Sequence, residues 1–107
     1  MKVPKFLKYK AKEVFQENGG YIVIYDWDSL DENSEPAYWE NVVCYSKDGK
    51  IIWKINGMEL SKYWRKETGF FTDIFRTSSG LLVTCFDTNR YKLDPENGRV
   101  EYFDFAK

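Results

Sequence analysis

The sequence nearly repeats itself once, at a spacing of 60 residues. Residues 13–23 (EVFQENGGYIV) align with residues 73–83 (DIFRTSSGLLV) without a gap. Each segment contains an acid, a β-branched residue, a Phe, a polar turn with glycine and an apolar run, in the same order. A second match places residues 44–53 over residues 93–102, each with a glycine in the turn between two strand-like runs. Because a sequence repeat corresponds to a repeated supersecondary unit, we predict two copies of one unit.

The predicted unit is a four-stranded antiparallel meander, because turns with glycine separate short strand-like segments at Gly20 and Gly49. Residues 7–12 alternate strictly between apolar residues and lysine, which predicts a half-solvated first strand with its lysines facing outward. The alternation changes phase near Glu13, and this predicts a bulge. The residues that share the core-facing phase of the next hairpin are Val42, Cys44, Ile51, Trp53 and Ile55.

Residues 57–68 change to a helical period. Asn56 and Glu59 resemble a capping box and Gly69 is a suitable stop, so we predict one short linking helix. The chain of 107 residues then forms a single domain, with repeat 1 at residues 7–55, the helix at 57–68 and repeat 2 at 71–105. We predict a mainly β fold in which the two meanders hide their apolar faces by packing as a small sandwich or half-barrel.

Two segments resemble blades of the quinoprotein-type β-propellers. Residues 41–53 combine a strand, an Asp-Gly turn and a strand that carries Trp53, and residues 91–100 contain Leu93-Asp94-Pro95 followed by Gly98. The resemblance implies blade-like sheets and not a quinone cofactor, because two blades cannot close a ring of about four to eight. Dimerisation into a four-bladed ring stays open, but we expect a monomer.

Catalysis and metal binding find little support in the sequence. The chain has no histidine, which removes the commonest general base and the commonest metal ligand. An EF-hand frame starting at Asp26 fails, because Leu30 and Ala37 fall where oxygen ligands are needed. We therefore predict no enzyme activity, no metal and no cofactor. A net charge of −1 argues against nucleic-acid binding.

The cysteines and the hydropathy pattern indicate the cellular compartment in which the protein resides. Cys44 and Cys85 lie in predicted strands without metal-ligand spacing, so we predict buried thiols, with a disulfide or a reactive thiol as alternatives. The longest apolar run covers only residues 21–25, far too short to cross a bilayer, and the start of the chain lacks the apolar stretch of a signal peptide. We expect a cytoplasmic protein that does not bind a membrane.

The loop at residues 26–40 differs most between the two copies. It holds six acids, three aromatic residues and no base, whereas residues 87–89 make the corresponding connection in repeat 2. Loops carry binding more often than strands do, and aromatic residues ringed by acids suit a basic protein surface. The alternative is a solvated loop whose Trp side chains fold back on the core. The predicted partner contacts are Trp27, Asp28, Asp31, Glu32, Glu35, Tyr38, Trp39 and Glu40.

A small, histidine-free, aromatic-rich β domain with an acidic loop resembles the bacterial toxin-immunity proteins in type. The resemblance implies a non-catalytic protein that neutralises a basic toxin domain, for example a nuclease, by covering its active site. The alternative is a small-molecule or carbohydrate-binding β domain that uses exposed aromatic side chains.

Overall fold

The computed structural model describes residues 3–17, 19–55, 67–78 and 80–105, and within them it contains two four-stranded antiparallel sheets. Sheet 1 consists of β1 (Ala11–Glu17), β2 (Gly20–Tyr25), β3 (Val42–Tyr45) and β4 (Ile51–Lys54). Sheet 2 consists of β5 (Phe71–Thr77), β6 (Gly80–Cys85), β7 (Asn89–Leu93) and β8 (Val100–Phe105). Neighbours in the chain are neighbours in each sheet, so both sheets are meanders and the predicted fold class is confirmed. Most of the predicted linking helix falls on residues 56–66, outside the described residues.

The first hairpins of the two sheets share one register. Phe15 pairs with Ile22 in sheet 1, and Phe75 pairs with Leu82, 60 residues further on, in sheet 2. The bulge recurs as well, after Ala11 in β1 and after the equivalent residue of β5. The bulge predicted near Glu13 is therefore confirmed, and so is the structural repeat.

The second match lies one residue out of register. Tyr45 pairs with Tyr21 as Leu93 pairs with Leu81, so Tyr45 and not Cys44 is the counterpart of Leu93. A register shift between β3 and β4 then leaves residue 52 without a ladder partner. As a result Ile51 is 45% exposed, and its predicted place in the core is wrong. The other four residues predicted to share that phase are buried: Val42, Cys44, Trp53 and Ile55.

The predicted first strand also needs a correction, because β1 begins at Ala11 and residues 7–10 precede it. The alternation itself is real, since Leu7 and Tyr9 are half-buried while Lys8 and Lys10 are exposed. The apolar members pack on the face of sheet 1 opposite to sheet 2, which we call the outer face. An alternating pattern shows only that one side of a segment is buried. A segment that lies across a sheet is half-buried in the same way as an edge strand, so both produce the pattern.

The main core lies between the two sheets. Each sheet contributes one face, which we call its inner face, and the buried residues there form one continuous cluster: Ile22, Ile24, Val42, Cys44, Trp53, Ile55, Phe71, Ile74, Leu81, Val83, Cys85, Tyr91, Leu93 and Val100. A second cluster covers the outer face of sheet 1, where Phe6, Leu30 and Tyr38 pack on β2 and β3. Sheet 1 is thus covered on both faces, which explains why β2 is apolar along nearly its whole length.

Both cysteines lie in the inner core as buried free thiols, as predicted. Burial raises the pKa of the Cys44 thiol and of the Cys85 thiol, because the apolar surroundings disfavour the thiolate. Both side chains therefore behave as small apolar core residues.

Asn41 joins the two sheets through its side chain and is fully buried. Its Nδ2 donates to the carbonyl oxygens of Phe71, at 2.7 Å, and Tyr25, at 3.0 Å. Its Oδ1 accepts a hydrogen bond from the N–H of Phe71 at 2.8 Å. The amide therefore pairs with both backbone groups of Phe71, as the peptide of a neighbouring strand would.

Trp53 makes a second link between the sheets. Its indole N–H donates to the carbonyl oxygen of Pro95 at 3.0 Å, in the turn that connects β7 and β8. A Cβ on Gly98 would lie 2.5 Å from the indole ring, and Gly98 also has a φ of +75°. The turn can pack beneath the indole because this residue has no side chain.

We expect Asn41→Ala to lower the free energy of unfolding by about 2–4 kcal/mol, because it leaves the N–H of Phe71 and two carbonyl groups buried without partners. Urea denaturation followed by Trp fluorescence measures the change. Asn33→Ala is the matched control, since Asn33 is exposed in the same loop, and it should change stability by less than about 0.5 kcal/mol. Equal effects of the two substitutions would contradict the role given to Asn41.

Gly98→Ala should destabilise the fold more than Gly19→Ala. Both glycines have positive φ, +75° and +80°, so both variants carry backbone strain of about 1–2 kcal/mol. No atom lies within 4 Å of a Cβ added at Gly19, whereas the Gly98 variant also collides with Trp53 and should lose about 1–3 kcal/mol more. Thermal unfolding of the two variants checks the difference, and a Gly19 variant as unstable as the Gly98 variant would show that Trp53 does not need the glycine.

Candidate functional site

The loop between β2 and β3 is well anchored at both ends. It contains two single 3₁₀ turns, Trp27–Ser29 and Tyr38–Glu40. The backbone N–H of Asp26 donates to the carbonyl oxygen of Lys10 at 2.9 Å. Leu30 and Ala37 are buried, and Leu30 packs on the outer face of sheet 1. The loop thus presents its side chains from a fixed backbone.

Lys54 neutralises two of the predicted acidic contacts. Its ammonium group pairs with the carboxylates of Glu35 and of Glu40, the latter at 3.6 Å. Burial lowers the pKa of Lys54, but the hydrogen bond to Glu35 and the charge of Glu40 outweigh burial, so the pKa is raised. Glu40 also accepts a hydrogen bond from the N–H of Ala37 at 3.2 Å. These two acids therefore hold the loop against β4.

The other three predicted acids, Asp28, Asp31 and Glu32, are exposed. Asp31 shapes the loop through its Oδ1, which accepts a hydrogen bond from the N–H of Asn33 at 2.7 Å. The structure thus divides the predicted acids into a group that fixes the loop on β4 and a group that gives the loop surface its negative charge.

Trp27 belongs to a stack of three aromatic rings that we call the aromatic strip, formed with Phe70 and Phe86. The ring centroids of Trp27 and Phe70 lie 4.3 Å apart at 28°, and those of Phe70 and Phe86 lie 4.8 Å apart at 31°. The middle ring is buried, whereas Trp27 is 44% exposed and Phe86 is 55% exposed. The strip joins the acidic loop of repeat 1 to the short connection of repeat 2.

The other two predicted aromatic contacts adjoin the strip and are half-buried. Tyr38 meets Phe70 edge-on at 6.3 Å and meets Trp39 edge-on at 5.0 Å. Tyr38 also packs against the outer face of sheet 1. Tyr38 therefore folds inward onto sheet 1, whereas Trp27 stays outside.

Phe70 and Phe86 were missed by the sequence analysis, although the repeat contains the signal. They lie 60 residues after Lys10 and Asp26, which form an ion pair at 3.5 Å in repeat 1. The backbone bond is the same in both copies, since residue 26 donates to residue 10 and residue 86 donates to residue 70, each at 2.9 Å. Comparing these equivalent positions would have shown an ion pair replaced by an aromatic pair.

A small cavity of about 210 Å³ opens on the outer face of sheet 1, and we call it the tyrosine pocket. The hydroxyls of Tyr25 and Tyr45 are hydrogen-bonded to each other at 2.5 Å. Burial raises the pKa of both phenols. The pocket is lined by Phe6, Lys8, Tyr9, Tyr25, Glu35, Tyr45, Gly49 and Ile51.

A larger cavity, of about 540 Å³, lies beside the turns of sheet 2. Its apolar lining comes from Leu81, Leu93 and Val100, and its charged lining mixes both signs, with three cations and two acids. Among the residues that the structure describes, no three His, Cys, Asp or Glu side chains are grouped so that they could hold a metal ion. Within the same residues, no helix has the length and apolarity needed to cross a membrane.

The sequence pattern of a family described as a domain of unknown function (DUF7957) matches residues 5–105. The chain belongs to the DUF7957 family. No curated protein and no solved structure matches it. The matched range includes both sheets, the acidic loop and the aromatic strip, so the two copies of the repeat together form one DUF7957 domain.

In this DUF7957 domain, we expect Lys54→Met to loosen the loop without unfolding the sheets. The ion pairs with Glu35 and Glu40 are partly solvated, so the loss of global stability should be about 0.5–1 kcal/mol. Amide hydrogen exchange should accelerate at Ala37, whose N–H bonds to Glu40, while β2 amides keep their protection. Lys50→Met, at an exposed lysine of the β3–β4 turn, is the control and should leave loop exchange unchanged. Unchanged exchange in the Lys54 variant would show that these pairs do not hold the loop.

Proposed function

We propose that this DUF7957 domain is a non-catalytic protein-binding module whose contact surface is the acidic loop together with the aromatic strip. The observation that carries the proposal is the stack itself: Trp27 and Phe86 are large, exposed and held in place by the buried ring of Phe70. Binding hot spots are enriched in aromatic side chains, and a ring that is already ordered loses little conformational entropy on binding.

The charge of the loop supports a basic partner. Asp28, Asp31 and Glu32 are exposed, and the loop contains no base among residues 26–40. Complementary charge at the rim of an interface raises the association rate, while the central aromatic residues supply most of the affinity. Lys54 pairs with Glu35 and Glu40, which keeps the loop ordered, while the other acids keep its outer surface negative. This arrangement fits a basic partner.

The specific form that we propose is a toxin-immunity protein of the bacterial cytoplasm. The partner would be a basic toxin domain, for example a nuclease, whose phosphate-binding surface carries positive charge. An acidic and aromatic surface could cover such an active site stoichiometrically and without chemistry. In this proposal the free domain is a monomer and binds neither nucleic acid nor a membrane.

The test uses the purified domain and the purified product of the neighbouring reading frame, because an immunity protein is encoded beside its toxin. Trp27→Ala and Phe86→Ala should each weaken binding about 10- to 100-fold by calorimetry, which is the size of a hot-spot loss. Ile52→Ala is the control, since Ile52 is 56% exposed on β4, and it should leave affinity within about twofold. Binding that both strip variants leave unchanged would overturn the proposed surface.

Charge reversal tests the acidic part of the surface separately. Asp28→Lys combined with Glu32→Lys should slow association about tenfold at low salt and reduce its salt dependence. Glu96→Lys combined with Glu101→Lys changes the net charge equally, at exposed positions of the β7–β8 turn and of β8, and serves as the control. Equal slowing by the two double variants would show that overall charge matters and the loop does not.

The rival function is the binding of a small molecule or carbohydrate. The 540 Å³ cavity favours it, because ligand pockets commonly measure about 300–1,000 Å³. A ligand that binds the folded state raises the melting temperature, so a panel of mono- and oligosaccharides separates the two functions. A sugar that raises the melting temperature, together with no binding to the neighbouring gene product, would favour the rival.

A further inference from the structure

The aromatic strip ends in two exposed rings, Trp27 and Phe86, with the buried ring of Phe70 between them. Phe70 covers one face of the indole at 4.3 Å, and Trp27 is nevertheless 44% exposed. The exposed ring surface is therefore the opposite face of the indole and its edges. Because Phe70 and the anchored loop hold the indole in place, a planar group can extend the stack while the protein loses little conformational entropy.

An aspartate follows each terminal ring in the sequence. Asp28 follows Trp27 within the same 3₁₀ turn, and Asp87 follows Phe86. The Asp87 carboxylate already accepts a hydrogen bond from the N–H of Asn89 at 3.0 Å. Asp28 is exposed, and within the described part of the chain its carboxylate forms no ion pair or hydrogen bond. The Trp27 end of the strip thus combines an open ring face with a carboxylate that has no protein partner there.

The surface around Trp27 is negative, and the cations that contact the loop do not cancel its charge. The loop contributes six acids and no base. Among the described residues, the cations that contact it are Lys10 and Lys54, and they pair with Asp26 and with the two acids that hold the loop on β4. Asp28 and the other exposed acids lie outside these ion pairs. This end of the strip therefore favours a cationic occupant.

The flat shape of the indole face distinguishes between the possible cations. An arginine guanidinium is planar, so it stacks on a ring face while its N–H groups donate to a carboxylate. A lysine ammonium is a compact and strongly hydrated point charge, and it gains less from a flat face. Tryptophan is the aromatic side chain that binds cations best. A nucleobase is also planar, but the negative loop repels the phosphates that accompany it. Arginine therefore fits both the ring face and the charge.

We propose that Trp27 and Asp28 bind one arginine side chain of the protein partner. The guanidinium stacks on the open face of the indole, as a fourth member of the stack, and donates hydrogen bonds to the Asp28 carboxylate. That the arginine comes from a protein partner rests on the proposed function. The preference of this end of the strip for a guanidinium rests on Trp27 and Asp28 themselves and is tested without the partner.

The experiment titrates the full chain, at physiological salt, with blocked glycine-flanked peptides that carry arginine, citrulline or lysine. Citrulline keeps the planar shape without the charge, and lysine keeps the charge without the plane. By NMR, the arginine peptide should bind with a dissociation constant on the order of 10 mM, and its δ-methylene protons should shift upfield over the indole. The citrulline peptide should bind about fivefold more weakly, and the lysine peptide about threefold more weakly. Equal binding of arginine and citrulline, or of arginine and lysine, would overturn the proposal.

Matched variants assign the binding to these two residues. Trp27→Leu should abolish the upfield shift of the arginine protons, whereas Phe103→Leu, which removes a 46% exposed ring of β8, should leave it unchanged. Asp28→Asn should weaken binding of the arginine peptide about threefold or more. Glu96→Gln removes the same charge at an exposed position of the β7–β8 turn and should have little effect. Equal effects within either pair would overturn the assignment, and melting temperatures confirm that each variant is folded.

The two proposals fail separately. If the strip variants leave binding to the neighbouring gene product unchanged while the arginine peptide still binds selectively, the proposed contact surface is wrong and the preference for a guanidinium stands. If the three peptides bind equally, or not at all, while the strip variants weaken the complex, the arginine site is wrong and the contact surface stands.

Discussion

The buried amide of Asn41 is the interaction on which the relation between the two sheets depends. Apolar packing holds the inner faces together, but the hydrophobic effect has no direction and would tolerate several offsets of one sheet on the other. Asn41 bonds to Tyr25 of sheet 1 and to both backbone groups of Phe71 in sheet 2, so it specifies one offset. The bond from Trp53 to Pro95 specifies the same offset at the opposite end of the core. The polar groups of both links are buried or nearly so. A shifted arrangement of the sheets would leave these groups without hydrogen-bond partners.

Much of this architecture could be predicted from the sequence because hairpins are local. The turn glycines and the apolar runs recur at equal spacing, so the registers of β1–β2 and β5–β6 follow from the repeat. The errors arose where non-local packing decides. Ile51 alternates with Trp53 as a core residue would, but the register shift between β3 and β4 places it outside. Residues 7–10 alternate as a strand would, yet they lie across the outer face of sheet 1, and alternation alone cannot distinguish the two placements.

The candidate site was predictable only in part, for a related reason. An acidic insertion with aromatic residues is visible in one copy of a repeat, so the loop could be singled out. The partners of that loop come from elsewhere in the chain: Lys54 of β4 holds Glu35 and Glu40, and Phe70 lies at the start of sheet 2. A strand residue that fixes a loop and an aromatic residue that stacks on it become neighbours only after the sheets pack. The spacing of residues along the chain does not show which of them come together when the sheets pack.

The differences between the two copies of the repeat show how the Asn41 link is related to the proposed contact surface. At equivalent positions, repeat 1 has the ion pair of Lys10 and Asp26, and repeat 2 has the stacked rings of Phe70 and Phe86. Trp27 comes from repeat 1 and stacks on Phe70 of repeat 2, so the aromatic strip exists only when the two sheets are docked. Asn41 follows the acidic loop directly and bonds to Phe71, the neighbour of Phe70. The hydrogen bonds of Asn41 that set the offset of the sheets therefore also set the distance between Trp27 and the ring of Phe70. The scaffold and the candidate binding surface depend on the same buried hydrogen bonds.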